Sequence, residues 1–269
     1  MQIKEKAMRG LPLKGTLIID MHAHMDKHFN FYISQPEIEH MIADMDCSGI
    51  DMCVVAPHLA MENDYKLGNK TMFDAVKRYP KRVLGWIVIN PHYPNEMEAE
   101  LDKYYGHKGV VGVKIHPGFH RMAADHKNYK LFWDMADERK MMVLTHSWEG
   151  SICGPEVFEK LAKEFRNVKI IMGHMGGFYY AVRNSIEAAK RTPNIYMDIT
   201  GKEYSETWLD EVLQFNKGSD KLLFGTDMPF HNPAYLVGRV AFADIPEEDK
   251  KKIFGLNFKA MLDAANKPI

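Results

Sequence analysis

Imidazole and carboxylate side chains stand at the ends of several short apolar runs in the sequence. His22 and His24 are two positions apart in IIDMHAHM, and the runs MVLTH, VKIIMGH and LLFGTD end on His146, His174 and Asp227. Imidazole nitrogen and carboxylate oxygen suit zinc, and a catalytic zinc needs about three or four protein ligands plus an open position. A bound cation would also offset the cost of burying several polar groups together. The set therefore predicts a metal site.

Eight apolar or β-branched runs position these residues. The runs begin near residues 17, 52, 83, 110, 142, 168, 195 and 222, at intervals of 26 to 35 residues. Each interval has room for one strand, one helix and two short loops, and strands that alternate with helices run parallel. Eight such units predict an α/β fold, a (β/α)8 TIM barrel, in one domain over residues 1–269. A doubly wound open sheet is the structural alternative, but it has no need of eight evenly spaced units.

Side-chain alternation along the first strand predicts where its histidines point. His22 and His24 share a face, with Asp20 and Ile18 below them. If that face is the barrel interior, both imidazoles reach the C-terminal mouth, where barrel enzymes have their active sites. Helical spacing is seen in the segments between the runs, as in the apolar residues of EIEHMIADMD.

Composition and charge narrow the choice of partner. The 35 Lys+Arg residues nearly balance the 36 Asp+Glu residues, so no long-range field attracts polyanions. No run of about 18 apolar residues occurs, and the first residues contain no apolar stretch long enough for a secretory signal. We therefore expect a small-molecule substrate, no nucleic acid or membrane partner, and a cytoplasmic location.

Five ordered motifs carry a family resemblance. IIDMHAHM, GVVGVKIHPGF, MMVLTHSWEG, IIMGHMGG and LLFGTDMPF resemble the amidohydrolase superfamily, in the branch that also contains non-oxidative decarboxylases of aromatic acids, over about residues 17 to 264. The resemblance implies a barrel of the metal-dependent hydrolase type. It implies that His22, His24, His146 and Asp227 bind one divalent ion, zinc by preference and manganese as the alternative. It also implies that His174 faces the substrate, and family members are often homodimers.

Each of these residues also has a chemical rationale. A divalent cation lowers the pKa of its bound water toward about 7 and polarises a substrate oxygen. Asp227 can accept the proton of that water and pass it to the leaving group. His174 can donate a hydrogen bond to the developing oxyanion or complete the coordination shell. Asp20 can orient a ligand imidazole, or it can make a polar contact that closes the bottom of the barrel.

Lys114 and His116 lie on the fourth run, and alternation places both on the interior face. A lysine there needs an anion nearby to stay charged. A salt bridge to an interior carboxylate and a contact with a substrate carboxylate are the preferred interpretations. A carboxylated lysine that bridges two metal ions, as in other amidohydrolase branches, is the third. His116 either lines the pocket or has a structural role.

Side chains in the loops after the runs are candidates for substrate binding. Phe29, His58 and Trp148 follow the first, second and fifth runs and can cover a flat or apolar substrate. Packing of the loop onto the barrel is the alternative for Phe29. Arg121, after the fourth run, is the nearest arginine that can pair with a substrate carboxylate, although exposure alone favours a solvated side chain.

Three functions are open at this point. In the preferred one, a metal-activated water attacks the carbonyl of an amide, ester or lactone, which makes the chain a hydrolase. In the alternative, the same centre holds an aromatic or enol-type acid while carbon dioxide leaves, which makes it a lyase. A barrel that binds metal without catalysis is disfavoured, because every expected ligand position is filled.

A nuclease of the same broad fold is disfavoured, because it would place a glutamate ligand where this chain has VGVKIHP.

Overall fold

Eight parallel strands form one sheet around the centre of the molecule. The computed structural model describes residues 1–30, 32–201, 207–267 and 269. Each strand is hydrogen-bonded to the next one along the chain, in the order β1 to β8. The strands are β1 Ile19–Met25, β2 Met52–Pro57, β3 Val83–Val88, β4 Val110–Ile115, β5 Met142–His146, β6 Lys169–Gly173, β7 Ile195–Asp198 and β8 Leu222–Leu223.

Backbone hydrogen bonds bring the two ends of the sheet together. The N–H of Met21 donates to the Phe224 carbonyl at 3.0 Å, and the N–H of Asp227 donates to the His22 carbonyl at 2.9 Å. Although β8 is short, the chain that follows it therefore continues alongside β1. This arrangement is a nearly closed barrel, and the predicted (β/α)8 TIM barrel is confirmed.

Helices separate the strands, as the spacing of the runs predicts. Short 3-10 turns lie at Pro94–Glu96 and His174–Gly176, and a π turn lies at Lys252–Leu256. The α-helices are α1 Ile3–Met8, α2 Ile38–Ser48, α3 His58–Glu62, α4 Tyr65–Arg78, α5 Met97–Asp102, α6 Pro117–His120, α7 Lys127–Glu138, α8 Pro155–Glu164, α9 Tyr179–Arg191, α10 Trp208–Asn216, α11 Pro233–Phe242, α12 Glu247–Lys251 and α13 Asn257–Ala264. Within the part of the chain that the structure describes, none of these helices has the length and apolar character required to cross a bilayer.

One buried apolar cluster fills the barrel, and another lies between the barrel and the helices. The interior cluster draws its members from strands all around the barrel, including Met21 and Trp86, and α13 adds Phe258, whose ring lies 6.1 Å from that of Trp86. The side chain of Asn257 donates to the carbonyl of Leu222 at the start of β8. The last helix therefore closes the N-terminal end of the barrel, and the site must lie at the other end.

A bulge in β1 changes the faces that alternation predicts. Asp20 pairs with Cys53, but the next pair is Ala23 with Val55, so three steps along β1 match two along β2. Ile18 packs in the cluster outside the barrel. The predicted continuous face with Ile18 beneath the two imidazoles is therefore wrong, because one extra residue resets the alternation before the histidines.

Candidate metal centre and active site

A cavity of about 470 Å³ opens at the C-terminal ends of the strands. This volume is in the usual range for a small-molecule site. Aromatic side chains and seven histidines supply most of its wall, together with one lysine and one carboxylate. Its lining residues are His24, His28, Phe29, Asn30, His58, Met61, Lys114, His116, Gly118, Phe119, His146, Trp148, His174, Gly201, Asp227, Phe230 and His231.

Three of the four predicted metal ligands come together at the base of this cavity. One ligand atom each from His22, His24 and Asp227 lies within 4.8 Å of the other two. Asp227 Oδ1 is 3.0 Å from His24 Nε2 and 3.5 Å from His22 Nε2. Two ligands about 2.0–2.1 Å from a tetrahedral ion stand roughly 3.3 Å apart, so these separations suit a single divalent cation. The donor set fits a metal ion without rearrangement of the backbone.

Hydrogen bonds fix both imidazoles with Nε2 toward Asp227. His22 Nδ1 is 2.8 Å from Asp198 Oδ2, and His24 Nδ1 is 2.9 Å from the carbonyl of Ala56. With its proton on Nδ1, each neutral ring donates to that acceptor and offers the Nε2 lone pair to a metal ion. Contacts of this kind orient histidine ligands in metal sites.

Asp198 is a candidate functional residue that was not predicted from the sequence. Its Oδ1 accepts the backbone N–H groups of His174 and Thr200 at 2.9 and 3.1 Å, while Oδ2 faces His22. Although burial opposes ionisation, the neighbouring His22 imidazole holds the pKa of the Asp198 carboxyl below its usual value. The sequence signal was present, because Asp198 ends the seventh strand run as Asp227 ends the eighth.

Asp20 holds the backbone next to the candidate metal ligands in place. Its Oδ1 accepts the N–H groups of His22 and Thr226 at 3.2 and 3.0 Å, and its Oδ2 is 2.5 Å from Thr226 Oγ1. The Thr226 hydroxyl donates to Oδ2, and burial raises the pKa of this carboxyl to about 8, so the protonated form predominates at pH 7. Asp20 thus links β1 to the segment after β8, and the orienting contact to an imidazole comes from Asp198 instead.

Lys114 is fully buried, and among the described residues its Nζ has an imidazole rather than a carboxylate as its hydrogen-bond partner. Its Nζ donates to His22 Nε2 at 2.8 Å, the same nitrogen that faces Asp227. Burial lowers the pKa of Lys114 to about 8, and the carboxylates of Asp227 and Asp198 oppose that shift. Lys114 therefore interacts with these two carboxylates at longer range and makes its direct contact with His22. A cation bound at His22 Nε2 would replace this hydrogen bond and leave the ammonium group facing the cavity.

The backbone holds His174 and Asp227 in left-handed conformations. Their φ angles are 59° and 62°, a conformation that residues other than glycine adopt rarely and at a cost in backbone strain. The hydrogen bonds from the His174 N–H to Asp198 and from the Asp227 N–H to His22 hold both residues in place. The His174 Nδ1 is 4.0 Å from Asp227 Oδ2 and 3.3 Å from the carbonyl of Thr200. The two predicted catalytic residues are therefore neighbours.

Desolvation favours the neutral form of four imidazoles that line the cavity. It lowers the pKa of His174 to about 4 and that of His58 to about 3, and it lowers the pKa of His146 and His116 well below the usual range. Burial opposes ionisation of Asp227. The surrounding histidines have the larger effect and hold the pKa of its carboxyl well below the usual value. Neutral imidazoles and an ionised carboxylate are the protonation states in which these groups bind metal ions.

His146 lies in a stack of aromatic rings along one wall of the cavity. Its ring is nearly parallel to that of His116, at 4.1 Å, and to that of Trp148, at 5.7 Å. His116 stacks in turn on Phe119 at 3.7 Å. Although His146 is outside the three-ligand group, its ring is 4.8 Å from that of His174. Its role as the fourth ligand stays a prediction.

Of the other residues predicted to bind substrate, three line the cavity and Arg121 does not. His58, the first residue of α3, is buried with its ring 4.8 Å from that of His24, and Phe29 and Trp148 stand at the outer part of the cavity. Arg121 is exposed at the C-terminal end of α6 and is not among the described residues that line the cavity. The left-handed φ of 48° at Arg121 ends the helix there.

We predict that His116→Ala will loosen the wall of the cavity. The substitution removes the ring between Phe119 and His146, together with the Nδ1 acceptor of the Phe119 N–H. We expect a loss of about 2–4 kcal/mol in the free energy of unfolding, because a buried ring is deleted and a cavity remains. Urea denaturation at pH 7 measures the free energy of unfolding. His116→Phe, which restores a stacked ring, should recover part of the loss. Equal losses in both variants would show that stacking contributes little.

Comparison with known proteins identifies the family. The sequence model of the family described as amidohydrolase matches residues 19–263. The chain belongs to the amidohydrolase family. The predicted family resemblance is thereby confirmed, and the chain is an enzyme of that superfamily.

Curated relatives point to one type of reaction. The chain is 24% identical to the gamma-resorcylate decarboxylase of Polaromonas sp. strain JS666, over 80% of this chain and 80% of that protein. It is 22% identical to the gamma-resorcylate decarboxylase of Rhizobium sp. strain MTP-10005, over 85% and 91%.

Solved structures share the fold. A 5-carboxyvanillate decarboxylase from Sphingomonas paucimobilis superposes with a TM-score of 0.73 at 17% identity, covering 93% of this chain and 99% of that one. The dihydroxybenzoic acid decarboxylase of Polaromonas sp. JS666, bound to manganese and 2-nitroresorcinol, has a TM-score of 0.72 at 18% identity, covering 94% and 99%.

These findings correct the preferred function. Hydrolysis of an amide, ester or lactone was the first interpretation, but the relatives and structural neighbours named above are decarboxylases of aromatic acids. The error has a chemical reason: the same strand-end ligands can serve either reaction, so the ligand motifs do not distinguish them. The comparisons and the three-ligand group support a divalent metal ion.

Proposed function

We propose that the protein is a metal-dependent, non-oxidative decarboxylase of a hydroxylated aromatic carboxylic acid. The observation that carries the proposal is the position of the His22, His24 and Asp227 group at the base of a cavity with stacked aromatic walls. A planar ring can pack against such walls, because aromatic rings favour offset-stacked and edge-to-face contacts. The decarboxylase relatives support the same reading.

The metal ion would be held by His22, His24 and Asp227, with His146 as the proposed fourth ligand. Imidazole and carboxylate donors suit both zinc and manganese. Because a structural neighbour contains manganese, we give manganese precedence over the zinc favoured by the sequence. When bound, the ion supplies a fixed positive charge for the anionic oxygens of the substrate.

Asp227 is proposed as the residue that moves the proton. Its carboxyl is ionised, so it must first accept a proton, and the hydroxyl group of a hydroxylated substrate can provide one. Asp227 then returns that proton to the ring carbon that bears the carboxylate. The carbon–carbon bond breaks, carbon dioxide leaves, and the bonding electron pair restores the aromatic ring as a phenolate, which takes one proton from solvent.

The neighbouring side chains hold the substrate for this transfer. Lys114 carries an ammonium group at the cavity base and is proposed to pair with the substrate carboxylate. His174, neutral and 4.0 Å from Asp227, is proposed to face the substrate beside Asp227. Phe29, His58 and Trp148 are proposed to contact the ring.

A panel of substrates tests the reaction. Purified protein, stripped with a chelator and reloaded with manganese or zinc, is given 2,6-dihydroxybenzoate, 5-carboxyvanillate, and simple lactones and esters. We expect carbon dioxide release from a hydroxylated aromatic acid, only in the metal-loaded protein, with no acid release from the esters. Ester or lactone cleavage without carbon dioxide release would refute the proposal.

Three features of the protein stay predictions alongside this function. They are one domain over residues 1–269, a cytoplasmic location, and a homodimer. Analytical ultracentrifugation of the metal-loaded protein measures the last of them.

A further inference from the structure

The loop between β1 and α2 forms part of the cavity wall. Its described residues next to β1 include His28, Phe29 and Asn30, and all three line the cavity. The backbone of this loop is fixed at its base, where the Asp26 N–H donates to the carbonyl of Pro36 at 3.1 Å. Further out, the loop depends on side-chain contacts from another part of the barrel.

Glu62, the last residue of α3, supplies those contacts. Its Oε2 accepts the backbone N–H of Phe29 at 3.1 Å, and its Oε1 is 3.4 Å from His28 Nε2. The side chains of Glu62 and His28 are only 4% and 5% exposed. Among the described residues, no donor makes a well-aligned hydrogen bond to Oε1. A buried carboxylate oxygen in that position is costly unless a positive or polar hydrogen faces it.

The tautomer of His28 provides that hydrogen. The N–H of Asn30 donates to His28 Nδ1 at 3.0 Å, so Nδ1 is an acceptor and the proton of the neutral ring resides on Nε2. The Nε2–H group therefore faces Glu62. The His28 ring also stacks on Phe29 at 4.9 Å and meets Phe230 edge-on at 5.4 Å. The contact with Glu62 therefore fixes the His28 ring, which packs against Phe29 and Phe230 in the cavity wall.

Helix α3 is a firm base for this contact. Ala60 is 1% exposed, and a Cβ on Gly68 of α4 would lie 2.4 Å from the Ala60 nitrogen. The two helices can pack this closely only because residue 68 is glycine. Glu62 is therefore held by a closely packed pair of helices next to the loop that it contacts.

We propose that Glu62 is a positioning residue, which holds His28 and Phe29 against the cavity and thereby sets the affinity for the aromatic ring of the ligand. The proposal concerns a residue outside the metal group and outside the predicted site. Its link to ring binding rests on the proposed function, whereas the contact between Glu62 and the loop does not.

Hydrogen exchange and ligand binding test the proposal together. In Glu62→Ala, we expect the amides of residues 29 and 30 to exchange about tenfold faster, because one direct hydrogen bond is lost and the His28 acceptor is no longer anchored. We also expect the Kd for 2,6-dihydroxybenzoate, measured by tryptophan fluorescence of the manganese-loaded protein, to rise about tenfold. Bound manganese per chain should not change. Glu62→Gln keeps a carbonyl oxygen for the Phe29 N–H and should recover part of both effects.

Glu138→Ala is the matched control, because Glu138 is an exposed carboxylate in the last turn of α7, at the opposite end of the barrel. It should match the wild type in both measurements. Unchanged exchange at residues 29 and 30 in Glu62→Ala would overturn the proposal, and so would faster exchange with an unchanged Kd. If the wild-type protein binds no aromatic acid, the proposed function fails, and the exchange comparison alone then decides whether Glu62 holds the loop.

Discussion

Asp227→Asn is expected to reduce kcat for decarboxylation by about 10²–10⁴-fold, the range lost when a positioned acid–base group is removed. An amide cannot accept the substrate proton or return it to the ring carbon. The fold should survive, because the hydrogen bond that places residue 227 runs from its backbone N–H to the His22 carbonyl. The amide oxygen can still face His24 Nε2, which lies 3.0 Å from Oδ1 in the wild type.

The measurement is carbon dioxide release by the manganese-loaded variant, together with its metal content. Asp220→Asn is the matched control, since it makes the same change in a carboxylate that is 80% exposed and pairs with Lys252 at the surface. Surface pairs of this kind contribute little to stability, so the control should retain wild-type kcat. A metal-loaded Asp227→Asn protein with wild-type kcat would remove Asp227 from the proton transfer.

Asp198→Asn is expected to weaken metal binding by about 10–100-fold, as loss of a carboxylate that orients a histidine ligand typically does. The amide oxygen would keep the N–H groups of His174 and Thr200 as partners, so its NH2 group would face His22 Nδ1. That contact favours the His22 tautomer with its proton on Nε2. The nitrogen that faces Asp227 would then have no lone pair for the metal ion.

Competition with a chromophoric chelator at pH 7 measures this affinity. Asp20→Asn is the control, because Asp20 is equally buried but contacts the backbone of His22 rather than its ring. The pKa of Asp20 is raised to about 8, so asparagine resembles the protonated carboxyl that is present at pH 7. It should leave metal affinity near the wild-type value. Equal losses in the two variants would contradict an orienting role specific to Asp198.

The barrel and much of its metal group could be predicted because both depend on local pattern. Apolar runs at intervals of 26 to 35 residues leave room for a crossover helix, and parallel strands then end on the same side. His22, His24 and Asp227 each stand at such an end, and the structure brings them together. The loop residues were less predictable. Arg121 is not among the described residues that line the cavity, while Glu62, which follows the second strand, contacts the loop after the first.

The amino-acid sequence by itself determined the order of strands and helices and the polar groups that the strands deliver to one rim, because periodicity is a property of neighbouring residues. Only the tertiary structure decided which of those groups face each other. The bulge in β1 turns the imidazoles inward, Asp198 reaches His22 across 176 positions of chain, and Lys114 meets the same ring from another strand. These contacts depend on the stagger and closure of eight strands, and no single segment encodes that geometry.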